Sequence, residues 1–519
     1  MTLPTTLEDS LPRPPRWWDS LRPDAGPEVA RLFHRLLALI FVVAWLSLGV
    51  QVHLLIGREG LLPLEDFIAS ARAQGSLTFF DLPTLFWWAQ GDGALTAGVI
   101  MGVLLSLVAL AGHRPQLCFA LSTSLYLSYA IACRLFLSFQ WDNLLLECGL
   151  LACFLPARRP APLVMFLFRV LLFKLYFESG IAKWQSPLHD WHDGSAMTFY
   201  YETAPLPTAL GWWAHSLPTW WHRFEGRAAL LLELIVPLAI FGTRRMRLGA
   251  AAILTAFQIA NAATANYGFF CYLSAGLNVF LLDDRDVRRA VERVRGWLPP
   301  RQGRTPSPAS SPSPVADALA RTRRYLGGAG AALFLAISLI EGLFHFTEPG
   351  PTLARLTPVA QVNQTWRLIN TYHLFAAITR ERIEPEFQTL DGGRDPRDEP
   401  ADEAWQPHHL RHKPGDTSRR PDFVAPHQPR VDFQLWFYGL SFERREPAYV
   451  ATLIERMCEA PAVVQPLFAG PLPLHPQAVR IVYWQYHFTR PGHPLSARDT
   501  GAWWTRDRIK TSRAVVCPH

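Results

Sequence analysis

The chain has 519 residues, of which 50% are hydrophobic, 12% aromatic and only 18% charged, at a mean hydropathy of +0.08. Ordinary soluble domains carry about 25% charged residues, so the composition argues against both a disordered chain and a plain soluble enzyme. The net charge of +7 rests on 46 Arg and four Lys without any basic low-complexity arm, which gives no support to a nucleic-acid partner.

A bilayer core about 30 Å thick needs roughly 20 apolar residues in helix. The first such run, 32–56, starts behind Arg31 and Arg35, is too long for a cleaved signal peptide and has no small-residue cleavage site. It reads as a signal anchor following a cytoplasmic N-terminal segment, 1–30. Further apolar runs follow at 94–112, 116–138, 143–156, 161–182, 228–242, 248–264, 268–282 and 326–346. The expectation is a multi-pass α-helical membrane bundle of about nine spans.

Arginine placement gives an independent check. With the N-terminus inside, the inner segments hold 21 arginines, ten of them between Arg285 and Arg324, whereas the outer connections hold five basic residues counting Lys183. This asymmetry is the positive-inside pattern. Residues 31–284 form the membrane domain, 285–325 a basic cytoplasmic linker whose Pro/Ser-rich part (297–316) is expected to be disordered, and 326–346 the last span.

An odd number of spans places residues 352–519 outside the cytoplasm, and the tail is long enough for a domain with its own core. The stretches 433–442 and 479–491 have the aromatic and β-branched enrichment of strands, and 447–460 repeats apolar residues at helical spacing, so an α+β domain is expected. Five cysteines (Cys118, Cys133, Cys148, Cys153, Cys271) lie in apolar runs and read as buried thiols. Cys458 and Cys517 lie outside them and can pair only in an extracytoplasmic compartment.

Ionisable groups inside a membrane are costly and face a cavity or a partner. The run 161–184 carries Arg169, Lys174, Glu178 and Lys183, and neighbouring runs add Arg134, Asn143, Glu147 and Glu233. Lys174 and Glu178, one helical turn apart, are spaced to pair. Two readings stand for the set: charges that lock helices together, or a polar cavity in which Lys183 acts as a base. The outer connection 185–227 is dense in aromatics and histidine. Neither His215, His222 and Glu225, nor His189, Asp190, His192 and Asp193, has a recognised metal spacing, and His408, His409 and His412 sit in a polar loop, so no metal and no cofactor is expected. No serine elbow or phosphate loop is present, and no internal repeat suggests a transporter.

Several motifs together resemble the lipase maturation factors: FQWDNLLLECGLL (139–151), FESGIAKW (177–184), MTFYYETAPLP (197–207), HSLPTWWHRFE (215–225), INTYHLFAAITRER (369–382), HKPGDTSRRPDFVAPHQPRVDFQLWF (412–437), FAGPLP (468–473) and YWQYHFTRP (483–491). The resemblance implies a multi-pass protein of the ER membrane, or of the inner membrane in a bacterium, a source that the excess of Arg over Lys suggests. It implies a chaperone-like role in protein maturation, with lipases as clients, and carries Tyr201, Glu202, His215, His222 and Glu225, then Lys413, Asp416, Arg419, Arg420 and Trp436, as motif residues. Two readings stand for Trp436, Phe437, Tyr438, Trp503 and Trp504 with Arg419 and Arg420: the core of the C-terminal domain, or a client surface of aromatic anchors rimmed by Arg. FESGIAKW followed by HDW also resembles the membrane motif of vitamin K-dependent gamma-carboxylases and their bacterial relatives. That likeness implies a rival reading, an enzyme acting on a lipid or quinone-like substrate with Lys183 as base, assisted by Glu178, Glu147 or His215.

Overall fold

The computed structural model describes residues 26–295, 314–348, 350–391, 401–490 and 501–518. The segment 1–25 and most of the Pro/Ser-rich stretch 297–316 lie outside the described residues. The helices that organise the fold are α1 (Pro27–Gly49), α2 (Asp92–Leu110), α3 (Pro115–Ala132), α4 (Gln140–Cys153), α5 (Pro162–Trp184), α6 (Ala196–Thr203), α7 (Thr219–Ile235), α8 (Arg244–Thr264), α9 (Phe270–Leu277), α10 (Pro314–Phe346), α11 (Arg430–Gly439) and α12 (Ala448–Glu459).

Local chemistry sets the helix ends. Proline occupies the first turn of α1, α3 and α5, where its missing N–H costs nothing. The free amides at the start of α1 are capped from across the chain: Gly26, Glu28 and Val29 donate to the Asp284 carboxylate at 2.8–3.2 Å. Asp283 beside it receives Arg244, Arg247 and Arg285, tying this end of the bundle together. Pro237 cannot continue the hydrogen bonding of α7, which runs on as a 3-10 turn, Val236–Phe241.

Three described helices are long and apolar enough to cross a bilayer: Pro27–Gly49, Asp92–Leu110 and Gly327–Phe346. This is fewer than the nine spans expected from apolar runs. The difference has a physical basis, since α5 carries four charges within its 23 residues, α4 is 14 residues long, and α9 with its following turn only 12.

The C-terminal part is α+β, as expected. Strands β1 (Ile383–Leu390), β2 (Trp405–His408), β3 (Ala478–Phe488) and β4 (Trp504–Thr511) form an antiparallel sheet in the order β2-β1-β3-β4, and β5 (Val515–Val516) also pairs with β3. The stretch expected as a strand at 433–442 is instead mostly helix α11. Its apolar residues Val431, Phe433, Leu435 and Tyr438 are buried, and Gly439 approaches β1 so closely that a Cβ there would lie 2.0 Å from the Ile383 carbonyl oxygen. Tertiary packing overrides the strand propensity of that segment. Cys458 of α12 and Cys517 after β5 form a disulfide, and the other five cysteines are free, four of them buried.

Candidate functional site

The polar residues of the helices do not gather into one open cavity. They meet the C-terminal part along a joint made of two straps, residues 367–382 and 422–436.

The first strap crosses the ends of α4 and α5, and buried carboxylates hold its backbone. Glu147 accepts the Asn370 amide at 3.0 Å and the Tyr372 hydroxyl at 2.7 Å, and its other oxygen takes the Lys174 ammonium at 3.1 Å. Glu178 accepts the Tyr372 amide at 2.9 Å, and Asp190 the Ile378 amide at 3.0 Å. Lys174 therefore pairs with Glu147, not with Glu178 as its spacing suggests; rotation of α5 aims it at α4 and at Ser338 of α10, 3.2 Å away.

Lys183 lies nine residues, about two and a half turns, further along α5. Its ammonium is 2.7 Å from Glu233 of α7 and donates to the Leu374 carbonyl at 2.7 Å. The contact requires Gly180, where a Cβ would lie 3.1 Å from the Glu233 backbone. Beside this pair is a cavity of about 70 Å³, walled by Tyr176, Trp191, Tyr200, Gln258, Tyr267 and Phe375. That volume is large enough to admit water.

The remaining members of the expected cluster stand apart. Arg134 donates to the Leu62 carbonyl at 3.2 Å and lies over Phe67, Asn143 is half-buried with an unpartnered side-chain oxygen, and Arg169 lies between aromatic rings.

The outer-loop motif grips the sheet. Glu202 of α6 accepts the Phe488 amide at 2.7 Å and faces His487 at 3.0 Å and His215 at 3.5 Å. Its hydrogen bond, helped by its charge, holds the His487 imidazole above the usual range, whereas burial pushes His215 down. Tyr201 donates to Glu225 at 3.0 Å, and the opposite oxygen of Glu225 is 2.8 Å from His222. Arg382, fully buried, donates to the carbonyls of Glu202 and Pro205 and pairs with Glu384 at 2.7 Å. Glu384 also takes Lys413 at 2.9 Å. Burial pushes Lys413 down to about 8 and Asp432 up to about 6.

The second strap enters the bundle. Asn266 receives the Val424 and Ala425 amides, and Gln51, two residues past the end of α1, bonds the Gln428 carbonyl at 2.8 Å and the Arg430 amide at 3.0 Å. Arg430 then reaches Asp142 of α4, Gln434 donates to the Leu135 carbonyl, and Trp436 to the Thr203 carbonyl at 2.9 Å.

The candidate client surface is largely interior. Trp504 and Tyr438 are buried, at 2% and 4% exposure, Trp436 is half-buried in the joint, and Phe437 alone of the five aromatics is well exposed at 45%. Asp416 caps Ser418, Arg419 binds the Leu410 and Arg411 carbonyls, and Arg420 lies over Trp503. These motif residues shape a loop. Among the described residues no three His, Cys, Asp or Glu side chains gather as a metal cluster.

Sequence reasoning passed over Asp142, Asn266, Tyr372, Arg382 and Arg430, and weighed Asp190 only as a metal ligand. Four of them, Asp142, Tyr372, Arg382 and Arg430, lie inside the quoted motifs, which was the available signal.

The profile of the lipase maturation factor transmembrane domain matches residues 29–289, and that of the lipase maturation factor C-terminal domain matches residues 368–514. The chain belongs to the lipase maturation factor family. Lipase maturation factor 1 of Bos taurus is 30% identical over 504 residues, covering 92% of this chain and 86% of that protein. Lipase maturation factor 1 of Homo sapiens is 29% identical, with 91% and 85% covered, and lipase maturation factor 2 of Homo sapiens is 28% identical, with 94% and 82% covered. No solved structure matches this member of the family. The carboxylase-like reading gains no support: the relatives named are maturation factors, and the Lys183 ammonium is engaged by Glu233 and a backbone carbonyl.

Proposed function

We propose that this chain is an integral membrane maturation factor that assists the folding, assembly or secretion of client proteins, lipases among them. The observation that carries the reading is the coincidence of two things: similarity to lipase maturation factors over 92% of the chain, and concentration of the shared motifs in the buried joint between helices and sheet. Such a joint fixes the C-terminal domain rigidly at the membrane surface, where a nascent secreted chain would meet it. About nine segments lie in the membrane, with the N-terminus cytoplasmic and the disulfide-bonded domain in the ER lumen or the periplasm. The arginine asymmetry and the Cys458–Cys517 bond, which suits an oxidising compartment, both favour this orientation.

The test is secretion of active lipase from cells deleted for their own maturation factor and supplied with this chain. Rescue by the wild type, lost in Arg430→Ala and kept in the surface variant Arg58→Gln, is expected. No gain in secreted activity over empty vector would refute the reading. Cysteine labelling of intact and permeabilised membranes reads the orientation.

A further inference from the structure

Eight Lys and Arg side chains among the described residues are buried: Arg169, Lys174, Lys183, Arg247, Arg382, Lys413, Arg430 and Arg480. Seven have a carboxylate within 4.0 Å. Arg169 has none among the described residues, and its guanidinium donates no hydrogen bond there. Its Nε is sealed and unpartnered, while the two terminal nitrogens, equally without acceptors, are not sealed. The rings of Phe166 and Phe241 face it at 5.5 and 6.0 Å, and Arg247 is near enough to add a second positive field. A guanidinium so placed in a membrane needs an acceptor that the described protein does not supply.

We propose that Arg169 binds the phosphate of an anionic phospholipid in the cytoplasmic leaflet. Arg169 is seven residues beyond Pro162, the first residue of α5, a rise of about 10 Å, so its long side chain can reach headgroup level. Two open N–H groups of a planar guanidinium match two phosphodiester oxygens. The same end of the bundle carries Arg244, Arg245, Arg247 and Arg285 beside Asp283, Asp284 and Asp286, and the helix Asp284–Arg295 adds Arg288, Arg289, Arg293 and Arg295 against Glu292, so arginine is in excess there. That surplus selects a lipid with net negative charge over a zwitterionic one. The flanking rings leave an apolar wall for its acyl chains.

The proposal rests on α5 lying in the membrane, which the accessibility of single cysteines placed along α5 to a water-soluble thiol reagent reads separately. The test uses delipidated full-length protein in mild detergent, supplied with phosphatidylglycerol micelles, phosphatidylcholine micelles or inorganic phosphate, and followed by native mass spectrometry and thermal melting. One phosphatidylglycerol retained and a raised melting temperature are expected for the wild type, with at least tenfold weaker retention in Arg169→Gln and an intermediate value in Arg169→Lys. Equal retention by wild type and both variants would overturn the proposal, as would an equal response to phosphatidylcholine or to inorganic phosphate. If Arg169→Gln does not fold, Arg169→Lys and the three wild-type arms decide alone: no preference for phosphatidylglycerol in the wild type refutes the site.

Discussion

Arg430 of the C-terminal part forms a two-pronged ion pair with Asp142 of α4, at 2.5 and 2.8 Å, and both side chains are sealed from solvent. Tyr126 donates to the same carboxylate at 2.7 Å, and the Phe136 carbonyl takes a further guanidinium hydrogen at 3.1 Å. Removing one partner leaves a buried charge. Arg430→Leu is therefore expected to cost about 3–5 kcal/mol, and Arg430→Lys, lacking the planar fork, to recover only part of it. Thermal melting in detergent checks both, and an Asp142→Leu/Arg430→Leu double variant should be more stable than Arg430→Leu alone.

Lys183 and Glu233 obey the same rule between α5 and α7. Lys183→Met and Glu233→Met should each lower stability by about 3–5 kcal/mol, and the double variant should lie above either single one. A double-variant cycle on melting temperatures reads the coupling; strictly additive losses would mean that the pair contributes nothing as a pair.

The strap over the helix ends offers a milder probe. Tyr372→Phe removes one hydrogen bond to Glu147 while the Asn370 amide and Lys174 remain, so a loss of about 1–3 kcal/mol is expected. Faster amide exchange confined to residues 369–378 would mark the strap as the part that loosens.

How much of this was legible in the sequence depends on the distance over which each feature is encoded. Helix α12 and strand β3 follow from their own periodicity and composition. The pairing of Lys174 does not: its partner is 27 residues away on another helix, and only the relative rotation of α4 and α5 decides between Glu147 and the closer Glu178. The aromatics at 436–438 and 503–504 look like a binding surface because composition does not reveal which face is covered. Here the Thr203 carbonyl, Tyr483 and Phe488 cover Trp436, Tyr438 and Trp504. Asp142 and Arg430 are unremarkable singly, and nothing local says that residues 288 apart complete each other.

Acid should loosen the C-terminal part. Burial pushes His408, His412 and His427 down to about 4, so the folded state keeps them neutral while the unfolded chain takes up protons below about 6.5. Their stabilising contribution is full above about pH 6.5 and declines as pH falls toward 4. His487 acts oppositely: raised by Glu202, it contributes most below 6.5 and loses that contribution as pH rises through its folded value. Melting curves between pH 5 and 8 should show lower stability at pH 5, and a His412→Gln/His427→Asn variant should flatten that dependence.

Reduction should also weaken this region. The Cys458–Cys517 bond closes a loop with a sequence separation of 59, for which chain entropy gives about 4 kcal/mol. A reductant, or Cys458→Ser with Cys517→Ser, is expected to lower the melting temperature, with protease cleavage appearing first around β5.

The second strap also dictates an order of synthesis. Asp142 is translated 288 residues before Arg430, and Gln51 earlier still, so the bundle is inserted while its deepest counter-charge does not yet exist. Until the ribosome has passed residue 430 and that segment has threaded back between the helices, the Asp142 carboxylate of α4 lacks its guanidinium partner. The protein becomes whole only after its chain is nearly complete. A premature stop between Phe346 and Arg430 would strand the entire membrane part with an unmatched acid, a state fit for recognition by membrane quality control.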